Sequence, residues 1–447
     1  MEKFLIHPKN IVTVNADDEF LINYAVEVNG NTISRIAPFD EFNLAEYNKI
    51  YDFPNYTLIP GFVQTHVHLC QTLFRGLADD LELLDWLQKK IFPFENSHGF
   101  ESLRRSAQLG IYELQTGGTT TILDMGTINH HEAVFGELGF SGMRAFSGKC
   151  MVDENDLLPK FKESTSESLK KSFELAEEFH GKENGRLNYA FAPRFVLSCS
   201  EELLKETYSM LNDFPGTLYH THASENKGEI EAVKTKTGMD NIEYFNSIGV
   251  LGNRTILAHG IHVNESEVKI LKETETRIAH CPSANLKLAS GIANVPNYLD
   301  EGVSISIGAD GPPCNNNLSQ FTEMRLASLI QKPLHGPTSM NSKTVFRLAT
   351  IEGAKALGIA DKIGSIEVGK KADLVLLDLN TPAQPLIIDD ENIYSTIIYT
   401  SSRENVCNVF IDGREVVNNG ESLVYDKDEI YREGKKELRS LLKRAQN

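Results

Sequence analysis

Residues 1–57 and 368–447 alternate apolar and polar side chains, as in "NIVTVNADD" and "NVCNVFIDGREVV". A period of two residues predicts β-strands with one buried face. The stretches "VNGN" and "IDGRE" predict hairpin turns, because Gly and Asn adopt positive φ at low cost. We therefore predict a small β-sandwich domain built from both ends of the chain, followed by a charged C-terminal helix.

Residues 58–367 have a different pattern, in which short apolar runs alternate with amphipathic segments of helical period. The runs are "YTLIPGFVQTH", "TTTILDM", "MRAFSGKCM", "LNYAFAPRF", "GTLYHTHA", "RTILAHG", "TRIAHCP" and "VSISIGAD". Eight strands that alternate with helices predict a parallel (β/α)8 TIM barrel. The chain is thus predicted to be an α/β protein whose catalytic barrel domain spans residues 58–367.

The composition narrows the classes of partner. The formal net charge of −18 disfavours nucleic acid, whose phosphates an acidic surface repels. No apolar run is long enough to cross a bilayer, and the N-terminus lacks the pattern of a signal peptide. The six cysteines are scattered without a CxxC pair. We therefore expect a cytoplasmic protein with reduced thiols that acts on a small molecule.

Most of the apolar runs end in a residue that can take part in the chemistry of a site, by binding a metal, transferring a proton or holding a substrate. These residues are His66, His68, Arg194, His220, His222, His259, His280 and Asp310. Active sites of barrel enzymes lie at the carboxyl ends of the strands. Each residue alone has an ordinary explanation, such as a core histidine or a turn aspartate, but together they mark one site.

The ligand types favour a site for one divalent metal. His66, His68 and His222 supply three nitrogens and Asp310 supplies an oxygen, a set that suits Zn²⁺ and, as the second choice, Fe²⁺. Related two-metal sites need a carboxylated lysine at the end of the fourth strand to bridge the two ions. Arg194 stands there instead, and its guanidinium stays charged. One metal per chain is therefore expected.

Three residues are predicted to assist the metal. A metal lowers the pKa of a water molecule towards about 7, which provides hydroxide at neutral pH. Glu225 follows His222 by three residues and can move the proton. Asp310 can ligate the metal and accept a hydrogen bond from the water, and His259 can orient it. His220 and His280 are expected only to support the site.

Several motifs together resemble the amidohydrolase superfamily, in its branch of metal-dependent aminohydrolases. The motifs are "PGFVQTHVHLCQTLFRGLADDLELLDWL", "HTHASE", "LAHG", "AHCPSANLKLASG", "GADGPPCNNNLSQFTEMRLASLIQK" and "GSIEVGKKADLVLLDL". The resemblance implies the same four metal ligands, catalytic roles for Glu225 and His259, and hydrolytic deamination of an aromatic ring with release of ammonia. It also implies a homo-oligomer.

Substrate choice depends on three residues. Glu95, in "IFPFE", matches the position that binds ribose hydroxyls in deaminases of methylthioadenosine and S-adenosylhomocysteine, although it could be an ordinary surface carboxylate. The segment around Arg194 resembles guanine deaminases instead, in which the arginine contacts the purine. Alternatively, Arg194 forms a buried structural ion pair. Gln71 could bind a purine edge, whereas Trp86 is expected to pack within its own helix. Deaminases of 5′-deoxyadenosine combine both patterns, and this combination is our prediction.

Other functions stay open at this point. The resemblance admits adenosine, methylthioadenosine or S-adenosylhomocysteine as the substrate, each converted to its inosine derivative. A guanine deaminase and an aminohydrolase of a pterin or triazine ring are the alternatives among enzymes. A metal-free binding protein on the same fold is the alternative outside them, but the complete ligand set argues against it.

Overall fold

A computed structural model describes residues 3–446, in which two sheets organise the chain. The first, which we call the terminal sheet, takes its strands from both ends of the chain. Its strands are β1 (Lys3–Val12), β2 (Phe20–Ile22), β3 (Tyr24–Asn29), β4 (Thr32–Pro38), β5 (Lys49–Pro60), β15 (Leu374–Asp378), β16 (Val406–Ile411), β17 (Arg414–Asn418) and β18 (Glu421–Ser422). They run in the order β18-β17-β16-β15-β5-β1-β3-β4, and β2 pairs with β1. All pairs are antiparallel except β1 with β5.

The second sheet is the barrel. Its strands are β6 (Phe62–Val67), β7 (Thr119–Met125), β8 (Arg144–Gly148), β9 (Cys150–Met151), β10 (Leu187–Pro193), β11 (Leu218–Ala223), β12 (Thr255–His259), β13 (Arg277–His280) and β14 (Ile305–Ile307). Every pair is parallel, and β9 is a two-residue addition beside β10. A parallel bridge from Val67 to Asp310 brings the first and last strands together. The predicted barrel with a smaller β domain from both termini is confirmed.

Helices surround the barrel strands and complete the termini. The α-helices are Leu83–Trp86, Phe92–Asn96, Phe100–Thr116, Glu132–Ser141, Thr165–Phe179, Glu201–Ser209, Lys227–Thr237, Asn241–Ser247, Glu265–Glu273, Pro282–Lys287, Val295–Asp300, Pro312–Asn315, Gln320–Leu329, Lys332–His335, Ser342–Leu348, Ile351–Ala356, Ile393–Ser395 and Lys427–Ala445, with a helical turn at Lys182–Gly185. The 3₁₀ turns are Phe39–Glu41, Leu44–Glu46, Leu69–Phe74, Val196–Ser198, Met210–Asn212 and Arg403–Asn405, and the π-helical turns are Leu87–Ile91 and Thr396–Thr400. Between residues 3 and 446, no helix is both long and apolar enough to cross a membrane.

Local sequence explains where these helices begin. Ser164 caps the helix Thr165–Phe179 and Glu167 bonds back to it, and Asn264 with Glu267 does the same for Glu265–Glu273. Such a capping box satisfies backbone N–H groups that the first helical turn leaves without partners. The ends of the helices are therefore specified locally, while burial of their apolar faces holds them on the barrel.

A buried ion pair connects the barrel to the terminal sheet. Arg144 on β8 donates to both carboxylate oxygens of Asp373, at 2.8 and 3.0 Å, and to Asp412 at 3.0 Å. Asp412 and Gly413 form the turn between β16 and β17, both with positive φ. A side chain at Gly413 would collide with the Gly30 carbonyl, at 2.4 Å, so glycine lets the two predicted hairpin turns meet.

Candidate active site

The histidines predicted as ligands lie at the carboxyl ends of the barrel strands. His66 stands on β6, His68 follows that strand directly, and His222 stands near the end of β11. On β6 the spacing of two residues turns His66 and His68 to the same side. The strand pattern thus brings distant parts of the chain to one end of the barrel.

Hydrogen bonds fix the direction of these imidazole rings. The Nδ1 atom of His68 lies 2.8 Å from the Met125 carbonyl oxygen, and Nδ1 of His222 lies 2.8 Å from the Arg194 carbonyl oxygen. A carbonyl only accepts, so each Nδ1 carries the proton and each Nε2 has a free lone pair. Both Nε2 atoms can therefore accept a cation.

His66 is oriented by another histidine. Its Nδ1 lies 2.9 Å from Nε2 of His220, and its Nε2 has no hydrogen-bond partner among residues 3–446 although the ring is fully buried. When the Nδ1–H of His66 donates to His220, the Nε2 lone pair of His66 also points inwards. This contact gives His220 the supporting position expected of it.

The inward-facing atoms converge closely enough to fit a metal. Nε2 of His68 lies 3.3 Å from Nε2 of His222, and Oδ1 of Asp310 lies 3.3 Å from Nε2 of both His66 and His68. Two unprotonated nitrogens cannot hydrogen-bond each other, but a cation between them satisfies both. Ligand bonds of 2.0–2.1 Å in a tetrahedron give ligand separations of about 3.3 Å. The four residues therefore fit one divalent metal.

Burial keeps two of the imidazoles in the form that binds metal. It lowers the pKa of His66 to about 4 and holds the pKa of His222 well below its usual value. Burial acts in the same direction on His68, but the Asp310 carboxylate outweighs it and raises the pKa of that ring. Asp310 thus attracts positive charge to the point where the ligand atoms meet.

The backbone is strained at residues that face this point. His259 has a φ of 75° and Asp310 has a φ of 61°. Both values lie in the left-handed region, which residues other than glycine rarely adopt. The Asp310 carboxylate also accepts the N–H of Gly311 at 2.8 Å. Such strain is frequent at functional sites, where the surrounding structure enforces it.

Glu225 and His259 lie beside the four converging residues. Oε2 of Glu225 is 3.5 Å from Nε2 of His259, which is also 3.8 Å from Oδ2 of Asp310. Burial raises the pKa of Glu225 to about 7. A carboxyl group with such a pKa can both accept and release a proton near neutral pH.

A buried polar cluster forms the neighbouring wall. Arg194 donates to Glu95 through Nη1 at 2.8 Å and Nη2 at 3.3 Å, and Gln71 donates to the same carboxylate at 2.8 Å. Burial opposes the charge of Arg194, but the Glu95 carboxylate outweighs burial and raises the pKa of the guanidinium. Of the three residues, Gln71 and Arg194 line the central cavity.

One fact identifies the family. The sequence pattern of the amidohydrolase family matches residues 57–416, most of the chain. The chain belongs to the amidohydrolase family. This confirms the predicted resemblance and makes the chain a hydrolase, and the family implies a divalent metal at the site described above.

Individual relatives of this amidohydrolase cover nearly its whole length. A protein of Methanobrevibacter smithii named 5′-deoxyadenosine deaminase is 36% identical and covers 97% of both chains. A 5-methylthioadenosine/S-adenosylhomocysteine deaminase of Bacillus cytotoxicus is 34% identical over 95% of this chain and 96% of its own. The crystal structure of an adenosine deaminase from Xanthomonas campestris with bound zinc matches with a TM-score of 0.91, at 28% identity and 98% coverage of both chains.

The structure also locates two residues for which the sequence predicted no direct role in the site. Trp86 lines the central cavity, and its buried indole N–H has no partner among the described residues, so it does not merely pack within its helix. Its position inside an apolar helical pattern gave no signal of this. His280 is buried with both ring nitrogens unpartnered over residues 3–446, and burial lowers its pKa to about 3.

Proposed function

We propose that the chain hydrolytically deaminates an adenosine derivative to the corresponding inosine derivative and ammonia. The observation that carries this proposal is the convergence of three histidine nitrogens and one carboxylate beside Glu225, within a single cavity. The deaminase names of the relatives from M. smithii and B. cytotoxicus support a 5′-modified adenosine such as 5′-deoxyadenosine or 5′-methylthioadenosine. They favour this class over guanine, pterin or triazine rings.

In this proposal His66, His68, His222 and Asp310 hold one divalent metal, with Zn as the first choice because the Xanthomonas relative contains it. When bound, such a metal acts as a Lewis acid that acidifies a water molecule towards neutral pH. The buried, neutral imidazoles require little loss of protons for binding.

Glu225 moves the proton. Its carboxylate accepts a proton from the attacking water, whose oxygen bonds to the reacting carbon, and delivers that proton to the neighbouring ring nitrogen. The remaining proton of the added hydroxyl then passes to the amino group, so that the C–N bond breaks, ammonia leaves and a carbonyl forms. A pKa of about 7 suits both halves of this transfer. His259 and the Asp310 carboxylate hold the water in line, since His259 Nε2 faces both acidic side chains.

Recognition of the nucleoside rests on the polar wall. Gln71 and Arg194 reach the cavity directly, while Glu95 stands behind them with both of its oxygens already accepting hydrogen bonds. A carboxylate has about four acceptor positions, so Glu95 can still accept from ribose hydroxyls that approach between its partners. The free indole N–H of Trp86 adds a donor on the same cavity.

Space for a 5′ substituent lies next to this cavity. Phe195 lines both the central cavity and an outer one of about 780 Å³. The outer cavity is bounded by apolar side chains such as Leu84 and Phe92 and by polar ones such as Asp156 and Lys162. A ribose held near Glu95 could extend its 5′ group into this space.

The test is ammonia release from a panel of 5′-deoxyadenosine, 5′-methylthioadenosine, S-adenosylhomocysteine, adenosine, 2′,3′-dideoxyadenosine, adenine and guanine. The 5′-modified adenosines should be deaminated fastest. Glu225→Gln should lose about 10²–10⁴-fold in kcat with its metal retained. Glu206→Gln, an exposed carboxylate on an outer helix, is the matched control and should keep full activity. Faster turnover of guanine would contradict the proposed substrate, and near-normal turnover by Glu225→Gln would contradict the proposed mechanism.

A further inference from the structure

Asn285 makes a contact that the mechanism above does not use. It lies on the short helix Pro282–Lys287 after β13, and the residue is 1% exposed. Its Oδ1 lies 2.9 Å from Nδ1 of His259, and its amide nitrogen has no partner within residues 3–446. The contact with His259 is therefore the one hydrogen bond of this side chain among the described residues.

This contact determines which way the His259 ring faces. An amide oxygen only accepts, so Nδ1 of His259 carries a proton and Nε2 is the atom directed towards Glu225 and Asp310. If the ring turned over about its Cβ–Cγ bond, a carbon would replace Nε2 in the cavity. A hydrogen bond at Nδ1 opposes that rotation.

Asn285 itself is held firmly. Its backbone N–H donates to the Cys281 carbonyl at 3.0 Å, at the start of the helix. Two residues earlier, Ser283 donates to the buried Glu323 carboxylate from its N–H at 3.1 Å and from its hydroxyl at 2.5 Å. Precise placement of a functional side chain needs support of this kind.

A purely structural explanation fits Asn285 poorly. A buried amide whose N–H₂ group has no partner is less favourable than an apolar side chain of similar shape. Its burial therefore costs stability, while its oxygen serves a residue of the active site. We infer that Asn285 is a positioning residue that holds His259 with Nε2 turned into the cavity, an inference that rests on the proposed function.

The first test replaces the amide in two ways. Asn285→Leu should lower kcat about 10–100-fold, the usual effect of removing a residue that orients a site side chain. The KM and the metal content should stay close to wild type, and the Tm should stay the same or rise. Asn285→Asp keeps an oxygen acceptor and should recover most of the lost kcat. Asn405→Leu is the control, because Asn405 is a buried amide in the 3₁₀ turn before β16, and this change should lower the Tm without affecting kcat.

The second test asks whether Asn285 acts through His259. In a His259→Ala background, Asn285→Leu should cause no further loss of kcat, because the ring that it orients is absent. An equal loss in both backgrounds, or a loss of Tm that accounts for the loss of activity, would overturn the inference.

Spectroscopy separates this inference from the proposed function. In ¹⁵N-histidine spectra, the wild type should give one His259 tautomer with a protonated Nδ1, and Asn285→Leu should give a mixture. This readout needs no turnover, so it stands even if no adenosine derivative is deaminated. An unchanged His259 signal in Asn285→Leu would refute the positioning role.

Discussion

Removing Arg194 should destabilise the protein because it leaves a buried charge without its partner. The side chains of Arg194 and Glu95 are 4% and 0% exposed, and two N–H groups of the guanidinium face the carboxylate. Breaking such a buried pair on one side costs about 3–5 kcal/mol. The variant Arg194→Met keeps the length of the side chain and removes all five donors. The change in its free energy of unfolding therefore reports the loss of the ion pair.

The size of the effect on Tm follows from the length of the chain. Unfolding entropy is about 2.1 cal/mol/K per residue, so for 447 residues a change of 1 kcal/mol shifts the Tm by about 1 °C. Arg194→Met should therefore lower the Tm by about 3–5 °C. The double variant Arg194→Met/Glu95→Gln, which removes both charges, should recover most of that loss.

The assay is thermal unfolding of the purified variants at equal metal content, followed by circular dichroism. Lys205→Met breaks an ion pair whose partners are both more than half exposed, so it controls for loss of a cation and should shift the Tm by no more than about 1 °C. If the double variant is less stable than Arg194→Met, the ion pair is not the source of the loss. Arg194→Met should also reduce the preference for nucleosides over free adenine, and an unchanged preference would separate Arg194 from substrate binding.

Three further predictions follow from the site. Elemental analysis should find one metal ion per wild-type chain, and His222→Ala should lose most of it. Two tightly bound ions per chain would contradict the ligand assignment. Trp86→Phe keeps an aromatic side chain but removes the indole N–H, so kcat/KM for the nucleoside should fall about 3–10-fold with no effect on free adenine. Burial raises the pKa of Glu229 to about 8 from an ordinary 4.5, so the folded state holds an extra proton between these values and stability falls as pH rises through them. Glu229→Gln should therefore gain Tm relative to wild type between about pH 5 and 8, and a constant difference would refute the shift.

The barrel and the converging residues were predictable because both depend on local patterns. Each apolar run contains a barrel strand, and each predicted ligand stands near the end of a strand or just beyond it, where the fold itself brings such residues together. His66, His68 and His222 needed no knowledge of long-range contacts, since the closure of a parallel barrel places all strand ends on one rim.

Contacts between side chains from different loops could not be predicted from such local patterns. Glu95 and Arg194 are 99 residues apart. The sequence suggested contact with substrate for each, and it left a buried ion pair as the alternative for Arg194 without indicating Glu95 as the partner. Their direct ion pair depends on how the segment after β6 folds over the barrel, through the π-helical turn Leu87–Ile91 and the helix Phe92–Asn96. The same segment turns Trp86 inwards, although its apolar neighbours indicate only a buried helix.

The strained backbone of His259 is a further feature that the sequence did not predict. At a φ of 75°, His259 sits in a conformation that costs free energy, so neighbouring contacts must hold it there. The contact from Asn285 is one that the sequence does not reveal, because an asparagine in a short helix has many ordinary roles. The direction of His259 Nε2 depends on that hydrogen bond as much as on the strand. A histidine at a strand end is therefore only a candidate, and the acceptor at its other nitrogen determines which ring atom it turns into the cavity.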